Sequence, residues 1–446
     1  MNRDRVRERS FPWRRCPIAL IVVLAFLPGG VRATESSINP QLASTYFHEA
    51  NEICTRDGGR LWGTSLCGPV LFVEPATREL VANQADIQAG LTPNGDVFMG
   101  HLPTTMNVAN TALDWAGLRW TMIIWPLPAD KALRDQLMMH ELFHRIQDKV
   151  GLPASNPSNT HLSTLEGRIW LELEWRALAR ALASTAGNRR SAVEDATVFS
   201  AYRRSLFPEA ASQERALEMH EGLAEYTGVR LRGTSQAETI QYLIERAKSA
   251  ETQESFMRSF AYVSGPIEGV LLDLTGSDWR KALTAQDDPG VLVAQAYNIR
   301  LPQPLKDEAQ QRSKQYSGDE LRAGETAREK ERERILAQYR SQLVEGPVLL
   351  VPLCKMNVQF NPNSLLALAE RGTVYPTIRI TDEWGILEVS SGALMAPDWG
   401  QVTVAAPSDP AARPLRGSGW TLQLATGWRL IRGPRSGDFS LQKEGE

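Results

Sequence analysis

The chain has 446 residues and little cysteine, little histidine and little net charge. Its four cysteines include no CxxC pair, which excludes a structural thiolate zinc site. With 49 basic and 52 acidic residues the formal charge is only −3, and no basic stripe carries interleaved aromatics. That excludes the electrostatic footprint of a nucleic-acid binder. No internal repeat is visible. The longest apolar run, "CPIALIVVLAFLP", is too short to span a bilayer comfortably and is interrupted by Pro17 and Pro28. What remains is an ordinary globular composition, 42% hydrophobic, long enough for two or three domains.

The apolar run follows a basic leader, "MNRDRVRERSFPWRR", and precedes "VRA", whose Val31 and Ala33 occupy the small-residue positions of a cleavage site. Residues 1–33 therefore read as a secretory signal peptide, with an uncleaved membrane anchor as the alternative. Cleavage would leave 42 basic against 50 acidic residues, a net charge of −8. The expected location is periplasmic or secreted. There, Cys54 and Cys67 flank a Gly-rich loop and are expected to pair, leaving Cys354 outside the pair.

Patterning divides the rest of the chain. Residues 34–55 read as a helix, and 60–127 as strands separated by Gly, Pro and Asn. Strand 119–125 places Trp120, Met122 and Ile124 on one face and Thr121, Ile123 and Trp125 on the other, so both faces are expected to be partly buried. From Ala129 to Lys281 the chain turns helical, with helices expected near 189–206, 211–230, 235–249 and 266–284. Residues 301–345 form a charged helical connector. Ser317 and Glu320 have capping-box spacing there, and Ile335, Leu336, Tyr339 and Leu343 offer the one apolar stripe. Residues 346–446 alternate with period two, the pattern of an antiparallel β module.

The most informative stretch is "MMHELFHRIQDKVG", residues 138–151. On a helix, His140 and His144 project from one face and can hold one ion between them. Glu141 lies beside that face. Zinc hydrolases need this arrangement, because the metal acidifies a water and the carboxylate takes its proton and passes it to the leaving group. The spacing is HExxH. A catalytic zinc also needs a third protein ligand. Position 150 is Val150, which removes the metzincin arrangement of a histidine six residues after the second one. Glu221 and Glu225 in "EMHEGLAEYTGVRL" lie one helical turn apart and can enter the same cleft. Glu166 in "TLEGRIW" stands as the alternative third ligand.

"HELFH" followed by "HEGLAEYTG" resembles the gluzincin metallopeptidases, over Arg119 to Thr227. The resemblance implies His140, His144 and Glu221 as Zn2+ ligands and Glu141 as general base. It further implies Glu225 as the carboxylate that supports a zinc histidine, a Glu where relatives carry Asp. Tyr262, in "FAYVSGPIEG", is the candidate oxyanion stabiliser, placed before a Ser-Gly-Pro turn expected to open the next helix. His220 and His161 are weaker candidates for that role. The spacing from His144 to Glu221 is longer than the family's and requires at least two inserted helices, and no "GAMEN"-style exopeptidase loop is present.

The expected architecture is thus α+β. A zincin-like catalytic domain over 34–300 has N-terminal strands followed by helices, and the connector leads to the β module. The expected function is an exported zinc endopeptidase acting on a peptide or protein, with no nucleic-acid partner and membrane contact only through an uncleaved leader. Strand 119–125 is the expected edge for an extended substrate. The alternatives are a catalytically silent envelope binding protein on the same fold, or a zinc enzyme that hydrolyses something other than peptides.

Overall fold

In the computed structural model, the described residues are 21–23, 38–152, 154–361 and 364–445. The leader expected over residues 1–33 lies outside them, apart from the backbone of Ile21–Val23, which runs parallel to strand Asn357–Phe360. No helix among the described residues is long and apolar enough to cross a membrane. The chain is mixed α+β, with N-terminal strands, a helical middle and a largely antiparallel C-terminal sheet region.

Helix α1 spans Pro40–Asp57 rather than beginning at residue 34, because Asn39 caps it by accepting from the Leu42 amide. Gly58 ends it in the left-handed region, at φ 58°. Cys54, in its last turn, forms the expected disulfide with Cys67. A six-stranded sheet follows, in the order Thr92–Asn94, Val97–His101, Glu79–Ala82, Val70–Val73, Leu118–Ile124, Thr111–Trp115. Alternation divides its faces. Val70, Phe72 and Ile123 join the core shared with the helices, while Leu71, Val73, Trp120 and Met122 form a second core on the other side.

The expectation that strand 119–125 is a free edge is overturned. Leu118–Ile124 pairs in parallel with Val70–Val73 and antiparallel with Thr111–Trp115. Its backbone groups are satisfied on both sides, so it has no vacancy for an added strand. Its position serves the next element instead. The strand delivers the chain to α2, Lys131–Ile146, which Asp130 caps by accepting from the Leu133 amide at 2.9 Å.

The helices α3 (Leu165–Ala183), α4 (Ala186–Leu206) and α5 (Ala210–Leu217) form the insertion expected before Glu221. A π-helical turn, Glu218–Gly222, then leads into α6 (Leu223–Leu231). After α7 (Gln236–Ala250) comes α8, Ala261–Asp273, which corrects the expected helix at 266–284. Pro266 lies inside α8, not at its start, since the Val263 and Ser264 amides already bond the Phe260 carbonyl. Short helices α9 (Pro289–Ala296) and α10 (Leu305–Ser313) lead to α11, Gly318–Arg340.

Helix α11 begins where expected but without the capping box. Ser317 sits at φ 53° and its side chain makes no cap hydrogen bond. Nor is α11 solvated on all sides. Buried Arg168 of α3 donates from Nε to buried Glu325 at 2.6 Å, so charge rather than an apolar stripe joins these helices. The expected stripe works only at the C-terminal end, where Leu336, Tyr339 and Leu343 pack with Leu368, Val374 and Leu394.

The C-terminal strands form two sheets around one core. Most pairs are antiparallel, but Phe439–Lys443 runs parallel to Val348–Pro352. This region reaches the segment before α8. Met257 belongs to its core, and the Arg258 guanidinium lies 5.8 Å from the Phe360 ring centre.

Candidate metal centre

Three ligand atoms converge where α2 meets the π-helical turn. His140 Nε2 lies 3.1 Å from His144 Nε2 and 3.5 Å from Glu221 Oε2, and His144 Nε2 lies 3.3 Å from the same oxygen. Four-coordinate zinc with ligands at 2.0–2.1 Å requires ligand atoms about 3.3 Å apart. The triangle thus has the edge lengths of one face of such a tetrahedron. It is also the one group of three or more His, Cys, Asp or Glu side chains among the described residues spaced to hold a metal ion.

The tautomers follow from the outer partners. His140 Nδ1 is 2.9 Å from Glu225 Oε2, which can only accept, so Nδ1 carries the proton. His144 Nδ1 donates to Gln147 Oε1 at 2.9 Å. The Gln147 amide is oriented by its own Nε2, which donates to the Met219 and His220 carbonyls at 3.1 and 3.2 Å. Both imidazoles therefore aim bare Nε2 lone pairs at a carboxylate oxygen. Three acceptors facing one another need a cation between them. In the metal-free protein a proton serves. Burial alone would lower the His140 pKa, but Glu221 and Glu225 raise it to about 10.

Glu221 is held from the far side. Arg258 Nη2 donates to Oε1 at 3.0 Å and the Tyr262 hydroxyl to Oε2 at 2.6 Å. Burial would raise the Glu221 pKa, but His220, His140 and His144 hold it well below the usual range. Tyr262 also stacks on the His140 ring, at 5.5 Å between centres. Its hydroxyl is therefore engaged with the third ligand. His220 also faces the site. Its ring lies 5.0 Å from that of His144, and its Nδ1 donates to the Ser155 carbonyl at 2.9 Å. Burial lowers its pKa to about 4.

Glu141 lies beside the triangle, with Oε1 4.0 Å from His140 Nε2. Its Oε2 is buried and has no hydrogen-bond partner. Burial raises its pKa against the pull of His140 and His144. A buried carboxylate oxygen without a donor is uncommon, and a water held at the ion site would satisfy it. The donor set, its spacing and this orphaned oxygen all fit a metal ion.

The rest of the arrangement explains the local sequence. Glu225 sits one turn after Glu221 on α6, and its Oε1 accepts from Gln136 Nε2 at 2.7 Å, one turn before His140 on α2. Arg232 Nη1 donates to Gln136 Oε1 at 3.1 Å and fixes that amide. Gly222 and Gly265 cross in near contact. A Cβ on Gly265 would lie 2.4 Å from Gly222 Cα, so only glycine lets α8 bring Tyr262 onto Glu221. The alternative ligand Glu166 is elsewhere. It accepts from Arg322 Nη2 of α11 at 3.1 Å and from Trp170 Nε1 at 2.9 Å. His161 donates to Glu214 at 2.7 Å, and His101 is exposed on its strand.

Gln136, Gln147 and Arg258 are the functional residues that reading the sequence missed. Gln136 and Gln147 did carry a signal, lying four residues before His140 and three after His144, where a helix brings side chains together. Arg258 carried none, because it arrives from a segment 37 residues beyond Glu221. No protein-family model, curated protein or solved structure matches this chain.

Proposed function

We propose that this protein is an exported zinc peptidase of zincin-like fold that cleaves internal peptide bonds, in the manner of the gluzincins. The carrying observation is the spacing of His140, His144 and Glu221 beside the orphaned Glu141 oxygen. Zinc held by these three residues would supply Lewis acidity, polarising the scissile carbonyl and acidifying water. Glu141 takes the proton from that water and delivers it to the departing amine. Glu225 and Gln147 keep both Nδ1 atoms protonated, so that both Nε2 atoms remain ligands. Arg258 and Tyr262 hold Glu221 in place, and Tyr262 is the nearest candidate to turn toward an oxyanion. The Cys54–Cys67 disulfide is consistent with an oxidising compartment and supports export to the periplasm or beyond.

One observation favours the second reading, a catalytically silent envelope binding protein. His140, Glu141 and Glu221 are each only 4% exposed, and the Ser155 carbonyl bonds His220 beside them. Glu141→Gln separates the two. For a peptidase the variant keeps its zinc while casein cleavage falls by about 10²–10⁴-fold. A zinc-loaded wild type with no cleavage of casein or a peptide library sinks the peptidase reading.

A further inference from the structure

The function proposed above leaves unused a groove between α3, α7 and α11, with a volume of about 770 Å³. That is within the size range of small-molecule sites. The helical spacing explains its walls. Glu172, Trp175 and Ala179 of α3 fall on one face, and Ile244 and Ala247 of α7, with Glu251 just past its end, face them. Helix α11 closes the third side with Leu321 and Gly324. A Cβ added to Gly324 would meet nothing within 4 Å, so the wall is open there.

The arginines in the groove are already engaged. Arg176 forks onto Glu251 at 2.9 and 2.7 Å, and Arg328 pairs with Glu325 at 3.0 Å. Glu172 is different. It is 1% exposed, and its Oε2 has no hydrogen-bond partner. Burial, reinforced by Glu325 and Glu251, pushes its carboxyl up to about 9. A leucine or methionine would fill this place without the cost of an unsatisfied buried oxygen. A glutamate there is explained by a donor that arrives from outside.

We propose that the groove is a second ligand site, separate from the metal centre, that takes an organic ammonium ion with a short apolar body. The head bonds Glu172, whose carboxyl releases its proton to solvent as the ammonium ion arrives, and the body lies against Trp175, Ile244 and Leu321. An anion is disfavoured, because the group without a partner is an acid and the facing guanidiniums are paired. The side chain of Lys248 stands exposed at the rim and is the built-in cation that must be excluded.

The test is calorimetric titration of the full chain with hexylammonium chloride, and with 1-hexanol as the neutral control. Wild type should bind hexylammonium saturably and more tightly than hexanol. Glu172→Gln should weaken hexylammonium about tenfold or more, the loss expected for a charge-assisted hydrogen bond, and leave hexanol unchanged. Gly324→Met, which fills the open wall with a better helix former, should abolish binding of both. Lys248→Ala should preserve or strengthen hexylammonium binding by removing a like charge. The proposal is overturned if wild type shows no saturable binding, if hexanol binds as tightly as hexylammonium, or if Glu172→Gln or Gly324→Met binds like wild type. It is equally overturned if binding appears only in Lys248→Ala, since Lys248 would then be the groove's own occupant, or is lost there. Thermal melting of the variants at or above the wild-type temperature keeps misfolding from imitating a lost site.

Discussion

Replacing Glu225 with glutamine tests whether the outer carboxylate determines the metal centre. Glu225 Oε2 accepts from His140 Nδ1 at 2.9 Å, and Oε1 accepts from Gln136 Nε2 at 2.7 Å. Both positions must be acceptors. Gln136 cannot turn its amide over, because Arg232 donates to its oxygen at 3.1 Å. Glutamine offers one acceptor and one donor group in the same volume. Either its NH2 faces the Gln136 NH2, or it faces His140 and moves the imidazole proton onto Nε2. The second outcome removes the lone pair that the metal requires. Loss of such an outer partner costs about 10–100-fold in metal affinity, or about 1.4–2.8 kcal/mol. The assay is zinc competition against a chelating dye at pH 7.5, with circular dichroism to verify the fold. The charge has a second signature. The metal-free His140 holds its proton up to about pH 10, partly through Glu225, so zinc must displace that proton. Calorimetry in two buffers of different ionisation heat should detect proton release from wild type and less from Glu225→Gln. An affinity within about twofold of wild type would refute the assigned tautomers and the role of Glu225.

Other substitutions probe other parts of the structure. Gly265→Ala should destabilise the protein by about 1–3 kcal/mol in urea melts and lower zinc content, because its Cβ would lie 2.4 Å from Gly222 Cα. Wild-type zinc affinity in that variant would show that the Gly–Gly crossing does not position Glu221. Glu166→Ala should keep zinc by metal analysis while Glu221→Ala loses it, and its stability cost should be about 1 kcal/mol or less, since the Glu166–Arg322 pair is half-exposed. The opposite pattern in zinc content overturns the ligand assignment. Reduction of the Cys54–Cys67 bond, which closes a separation of 13 residues, should cost about 3 kcal/mol in the same melts. No shift with reductant would show that the bond does not constrain the unfolded chain. Glu172 binds its proton more tightly when folded, up to about pH 9 against 4.5 for an ordinary glutamate. Its contribution to stability is therefore present below about pH 4.5 and lost as pH rises toward 9. Glu172→Gln should remove that decline, gaining on the order of a few kcal/mol relative to wild type at pH 8. Parallel stability–pH curves for the two proteins would contradict a buried, unpartnered carboxyl.

The local features were legible because short-range geometry carries them. The spacing of His140 and His144 on one helix, the Cys54–Cys67 loop and the period-two C-terminal strands need only a few neighbouring residues to define them. Even Glu221 could be singled out, through its position before Gly222 and one turn ahead of Glu225. The choice between Glu221 and Glu166 could not be made at that level. Both precede a glycine, and their difference lies in what comes to meet them, Arg322 from α11 in one case and the two histidines in the other.

Element boundaries failed where a tertiary contact overrode a local signal. Pro266 reads as a helix start, yet α8 begins five residues earlier and crosses the π-helical turn at Gly265. Ser317 and Glu320 read as a capping box, yet Ser317 sits in the left-handed region and makes no cap. Strand 119–125 was recognisable by its residues, but its neighbours on both sides come from elsewhere in the chain. The sequence by itself singled out two candidate ligands, a candidate general base and the order of helical and extended regions, because those follow from periodicities of 3.6 and 2. Only the tertiary structure brought Glu221 to the two histidines, gave His140 Nδ1 its partner Glu225 and closed the clamp of Arg258 and Tyr262. Those depend on side chains separated by 37 to 85 residues arriving at one point, and no local pattern encodes that distance.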